Sequence, residues 1–170
     1  MALRPSITSV CAPAFTPLSK KRHVTFYTRA DKRERLLEIL QDQKLHLPTA
    51  TYTVRDTRGE VLARFRKNYL YNLIRKRWEV LTPDGRVSWL AKEDSIILSL
   101  LRRLLGPLFG FLRTNFVFQR AGSERVIGEF KRKFTILDRY VLDLTPDTQR
   151  AFDRRIALAL GVMLDTGERR

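Results

Sequence analysis

At 170 residues the chain amounts to one domain, long enough to bury a real core, and its 44% hydrophobic content is ordinary for a globular protein. The charge is not ordinary: 33 lysines and arginines against 18 aspartates and glutamates leave +15, a field that attracts polyanions, either nucleic acid or the anionic face of a membrane. A single cysteine, Cys11, excludes an intrachain disulfide and a cysteine metal cage, and no apolar run reaches transmembrane length.

Residues 1–22 hold three prolines and end in Lys20, Lys21 and Arg22, which reads as a flexible basic arm without a secretory apolar region. Residues 23–170 read as one domain. Val24 to Thr28 is β-branched and aromatic, hence a strand. Asp31 followed by Glu34 fits a capping box, so Leu36, Leu37, Ile39 and Leu40 are expected on one face of a helix from Lys32 to about Gln43.

From Thr51 an internal repeat appears. Tyr52–Arg55, a turn at Asp56 to Gly59, and Val61–Phe65 make the first strand–turn–strand unit. Trp78–Leu81, a turn at Pro83 to Gly85, and Val87–Ala91 make the second. Phe116–Gln119, a turn around Gly122, and Val126–Phe130 make the third. Val61–Tyr69 and Val126–Phe134 also align residue for residue, and a further strand follows each, at Trp78–Leu81 and Tyr140–Leu144. Such a meander predicts an antiparallel sheet, and closing it would remove the exposed edges.

Between the second and third units, Asp94 can cap a helix through Leu105, which Gly106 and Pro107 end. Leu108, Phe109, Phe111 and Leu112 follow, beside Arg102, Arg103 and Arg113. Two readings stay open for this segment: a lid over one end of the domain, or an anchor dipping those four side chains into lipid.

The last helix is expected from Thr145 to about Asp165, with Thr145 as cap and Pro146 in the first turn. Ile156 to Leu164 carries no polar side chain, so this stretch should be buried all round. Nine residues rise only about 14 Å, too short for a bilayer, so protein must surround them. The expected fold is therefore α+β and mostly β: a closed antiparallel β-barrel of hairpin repeats around a central apolar C-terminal helix.

Gly59–Lys67, Arg75–Val80, Gly128–Phe134 and the Asp153-Arg154-Arg155 entry to the apolar tail resemble, in that order, the LURP-one-related and phospholipid scramblase group of the Tubby C-terminal-like superfamily. The resemblance covers about Thr51 to Asp165. It implies the same barrel threaded by an apolar helix, and a basic surface that binds phosphoinositide headgroups. The palmitoylated cysteine cluster and long proline-rich arm of the animal scramblases are missing. Asp138, Asp143, Asp147 and Asp153 fall near the scramblase calcium segment without the close spacing that a calcium loop wants, and are expected to pair with arginines or favour a helix start.

No zinc spacing, nucleophile elbow, Walker loop or dinucleotide fingerprint occurs, so no catalytic residue, metal or cofactor is assigned and the chain reads as a non-enzyme. Binding is better supported. Arg64, Arg66 and Lys67, then Arg75, Lys76 and Arg77, flank one connection, and Lys131, Arg132 and Lys133 occupy the equivalent connection of the repeat. Arginine grips phosphate with paired hydrogen bonds and lysine adds a mobile charge. The expected partner is anionic phospholipid, read from a cytoplasmic position at the inner face of a membrane. Two alternatives stay open: a nucleic-acid-binding or regulatory protein using the same surface, and solvated loop charges with cross-strand pairs.

Overall fold

Alternation of buried and exposed positions, the signature of a half-buried strand, governs most of the strands. The computed structural model describes residues 23–43, 48–69, 76–94, 115–133 and 139–168. Nine strands follow in order: β1 (His23–Tyr27), β2 (Arg35–Gln41), β3 (Thr49–Asp56), β4 (Val61–Asn68), β5 (Arg77–Leu81), β6 (Val87–Glu93), β7 (Phe116–Arg120), β8 (Val126–Lys133) and β9 (Arg139–Asp143). One helix, α1 (Arg154–Glu168), comes last. Each strand pairs antiparallel with the next in sequence, giving a single nine-stranded meander.

Alternation sends Leu37, Ile39, Tyr52, Val54, Phe65 and Trp78 into one core, all nearly solvent-free, while their neighbours Glu38, Arg64, Arg66 and Glu79 lie on the other face. The three expected hairpins are present as β3–β4, β5–β6 and β7–β8. Their turns use Gly59, Gly85 and Gly122 at φ of 84°, 89° and 79°, a region open to glycine at little cost. Each hairpin also shifts register near its turn, at Val54/Arg55, Val80/Leu81 and Phe118/Gln119. The repeat is therefore structural as well as sequential. Phe65 of β4 and Phe130 of β8 fill equivalent core positions, and Ala63 corresponds to Gly128. Gly128 admits no side chain: a Cβ there would stand 2.5 Å from Leu144 Cδ2 and 2.8 Å from the Asp143 carbonyl oxygen.

The closed barrel is not what forms. Among the described residues β1 and β9 each pair on one side only, so the sheet stays open. Burying a helix does not require closure, because a twisted sheet of this width curls enough to cover one side of it. Helix α1 lies against β4 and, through Gly161, against the Phe130 ring of β8. Phe152, just before the helix, packs on Trp89 at 5.0 Å and edge-on to Phe118 at 5.8 Å. Ala157, Ala159, Leu160, Met163 and Leu164 are buried, but Leu158 and Val162, one turn apart, are only partly covered. The helix is thus not enclosed all round: Leu158 and Val162 form a half-buried stripe at the margin of the core. No helix among the described residues is long and apolar enough to cross a membrane.

Two further expectations are corrected. The stretch from Lys32 to Gln43 is a turn followed by β2, not a helix. The Asp31 carboxylate accepts the Arg33 amide at 3.2 Å, and the Thr28 hydroxyl donates to the Glu34 carboxylate at 2.9 Å, which closes the β1–β2 hairpin. The apolar set Leu36, Leu37, Ile39, Leu40 satisfied both periods, and pairing with β1 and β3 selected the strand. The last helix begins at Arg154, capped by Asp153, whose carboxylate accepts the Arg155 amide at 2.8 Å. Residues 144–153 instead wind around Asp147. Its carboxylate accepts the amides of Ala151 and Phe152 at 3.0 and 3.1 Å and pairs with Arg154 at 3.3 Å. The expected helix over 94–105 and the apolar residues Leu108, Phe109, Phe111 and Leu112 lie outside the described residues.

Candidate polyanion-binding rim

A simple meander sorts its connections onto two rims, alternately. One rim carries the connections 28–34, 57–60, 82–86, 121–125 and 144–153. Together they hold seven basic and seven acidic residues, so the rim is neutral. The other rim carries 42–48, 69–76, 94–115 and 134–138, and residues 1–22 join β1 there. These hold ten basic residues against three acids, Asp42, Asp94 and Asp138. By chain order the segments that leave the strands at this rim contribute +7 to the net charge, those of the neutral rim contribute nothing, and the strands and helix with residues 169–170 contribute +8.

The strand ends at that rim carry most of the expected site, but in part in a different setting from the one expected. Arg64, Arg66 and Lys67 lie within β4 and flank the 69–76 connection as expected, whereas Lys131, Arg132 and Lys133 lie within β8 rather than in the connection after it. Strands β4 and β8 run in the same direction, so Asn68 and Lys133 end at the same rim. As strand residues, neighbours point to opposite faces. Lys67 accordingly turns inward, 6% exposed, with its ammonium 5.4 Å from the Tyr69 ring centroid and 5.3 Å from that of Trp78. Such cation–π contacts hold a buried charge away from external anions.

On the outer face Arg66 reaches the opposite residue Glu79 through Nη2 at 2.6 Å and Nε at 2.7 Å. Arg77 donates to the other oxygen of the same carboxylate at 3.0 Å. One acid therefore neutralises part of two arginines at the centre of the candidate site. Arg64 is exposed and, among the described residues, makes no ion pair. Lys76 is partly exposed just before β5; its carbonyl accepts the Glu93 amide at 2.9 Å. Arg75 lies outside the described residues. Lys131 is exposed and pairs with Glu129. The hydrogen bond and charge of Glu129 hold its ammonium above the ordinary lysine value, with Asp143 and Asp94 adding to the effect. It stays charged at any physiological pH.

Lys92 of β6 is a rim cation that the sequence reading passed over. It stands beside Arg77 in register, and its ammonium reaches back to Glu124, in a connection of the neutral rim, at 3.8 Å. Its signal was alternation: Leu90 and Lys92 share the face of Glu79 and Arg77. Asp143, Asp147 and Asp153 are engaged in the chain's own turns and helix cap. Among the described residues no group of three or more His, Cys, Asp or Glu side chains could hold a metal ion. No family model matches the chain, no curated protein does, and no solved structure does.

Proposed function

We propose that the chain is a non-enzymatic module that binds anionic phospholipid headgroups at a membrane surface through this basic rim. The observation that carries the reading is the sorting of charge by connection: six basic and three acidic residues in the connections that leave the strands at one rim, with four basic residues and no acid in residues 1–22 before β1, against seven and seven in the segments at the other rim. Each unmatched lysine or arginine near an anionic surface contributes roughly 1 kcal/mol at moderate salt, so several act together as a reversible anchor. The sequence between β6 and β7 holds Leu108, Phe109, Phe111 and Leu112, residue types that enter a headgroup layer. The resemblance to Tubby-type domains points the same way.

Arg64, Arg66, Arg77, Lys92, Lys131 and Lys133 are the strand residues assigned to the contact; Lys67, turned inward, and Arg132, at the equivalent register position of β8, are not. Flotation of the full chain with vesicles tests the reading. Recovery should require phosphatidylserine or a phosphoinositide beside phosphatidylcholine, and should fall as salt rises. Equal recovery on neutral and anionic vesicles at low salt would overturn it. Competitor-resistant complexes on one defined nucleic-acid sequence would assign the rim to that ligand instead.

A further inference from the structure

An open sheet has two edge strands, where a further strand can be added. Among the described residues β1 and β9 pair with one strand each, and the two edges differ. Strand β1 carries no carboxylate, and its pairing with β2 slips at Phe26/Tyr27. Strand β9 keeps unbroken register with β8 from Glu129↔Asp143 to Lys133↔Arg139. Its sequence, Arg139-Tyr140-Val141-Leu142-Asp143, has opposite charges at its two ends and only partly covered apolar and aromatic residues between them.

That pattern is self-complementary. We propose that β9 is the contact strand of a symmetric homodimer, pairing antiparallel with β9 of a second copy about Val141. In that register Arg139 of each copy stands opposite Asp143 of the other, and Tyr140 opposite Leu142. The two-fold axis repeats each pair, so one surface serves both copies. Like charges never meet, whereas β1 against β9 would leave both charged ends unmatched. Asp143 is suited to the role: it is exposed, and the hydroxyl and amide of Thr145 hold its carboxyl below the ordinary range. The inference rests on the β9 edge and is independent of the lipid reading.

Sedimentation equilibrium of the full chain across a concentration series tests it. The mass should rise from 19.9 kDa toward twice that value and no further. Asp143→Arg and Arg139→Asp should each weaken association about tenfold, since every cross-strand pair then sets like charges opposite. The double variant, with both charges exchanged, should restore it. Because the double variant also lacks the Asp143–Thr145 bond, recovery cannot come from that bond, and thermal melts check that each variant is folded. A monomer at every concentration overturns the proposal. So does a dimer indifferent to these charges, growth beyond two copies through β1, or folded single variants that the double exchange fails to rescue.

Discussion

At the rim of tight hairpins each cation has an acid close by in sequence: Arg33 lies 3.9 Å from Asp31, Arg86 2.6 Å from Asp84, and Arg155 2.8 Å from Asp153. At the opposite rim the sequence supplies basic residues with few acids beside them, and Glu79 is shared between Arg66 and Arg77. The same residue types thus serve two ends. Charges matched two residues apart shape a turn and cancel at a distance, so they contribute little to the far field. Charges without local acids leave a potential that an external anion can meet. Net charge alone does not separate these cases; position relative to the strands does.

The comparison can be broken most sharply by charge reversal. Changing Lys131 and Lys133 together to Glu should lower vesicle affinity by roughly a hundredfold or more at moderate salt. The matched pair on the other rim, Arg58 and Arg86 to Glu, should leave flotation nearly unchanged. Equal losses from both sets would show that the rims do not differ in function.

Next in size is a stability effect confined to the neutral rim. Asp147 is 5% exposed and serves two amides and an arginine. Asp147→Ala should cost about 3 kcal/mol in denaturant unfolding, because it leaves those donors unmatched, without altering lipid preference at temperatures where the variant is folded. Gly128→Ala should cost about 1–3 kcal/mol through its collision with Leu144 and the Asp143 carbonyl, while Ala63, at the equivalent position of the other repeat, already carries a Cβ.

A smaller effect sharpens the contrast at the basic rim itself. Glu79→Gln frees the guanidiniums of Arg66 and Arg77 from their shared carboxylate, and should raise affinity for anionic vesicles about fivefold. Unchanged binding would place those two arginines outside the contact.

The smallest effect is a pH dependence at the helix entry. The Arg155 side chain, chiefly by hydrogen bonding, holds the Asp153 carboxyl below its ordinary range. A carboxylate depressed in the folded state binds its proton more readily when unfolded, so its contribution is complete above the unfolded value of about 3.9 and is lost as pH falls through the folded one. Asp153→Ala should cost about 1 kcal/mol at neutral pH, and the difference from the parent chain should vanish in strong acid. A difference that persists there would assign the loss to packing rather than to the cap charge.

Much of the sheet was legible in the chain itself. Gly59, Gly85 and Gly122 mark turns between alternating runs, and the match of β4 with β8 follows from residues 61–69 and 126–134. Two features misled for the same physical reason. Leu36, Leu37, Ile39 and Leu40 fit a helical face as well as a strand with a buried and a half-buried side. Ile156 to Leu164 suggested complete enclosure, but an apolar residue count says how much surface seeks cover, not from how many directions cover comes. Local patterns act through residues a few positions apart, and they settled the hairpins, their turns and the sign of the charge. Which of two faces Lys67 joined, that Glu79 would bridge Arg66 and Arg77, and that the sheet would stay open all depend on register between distant segments. Only the tertiary structure decided those, because register is fixed by burial summed over the whole sheet.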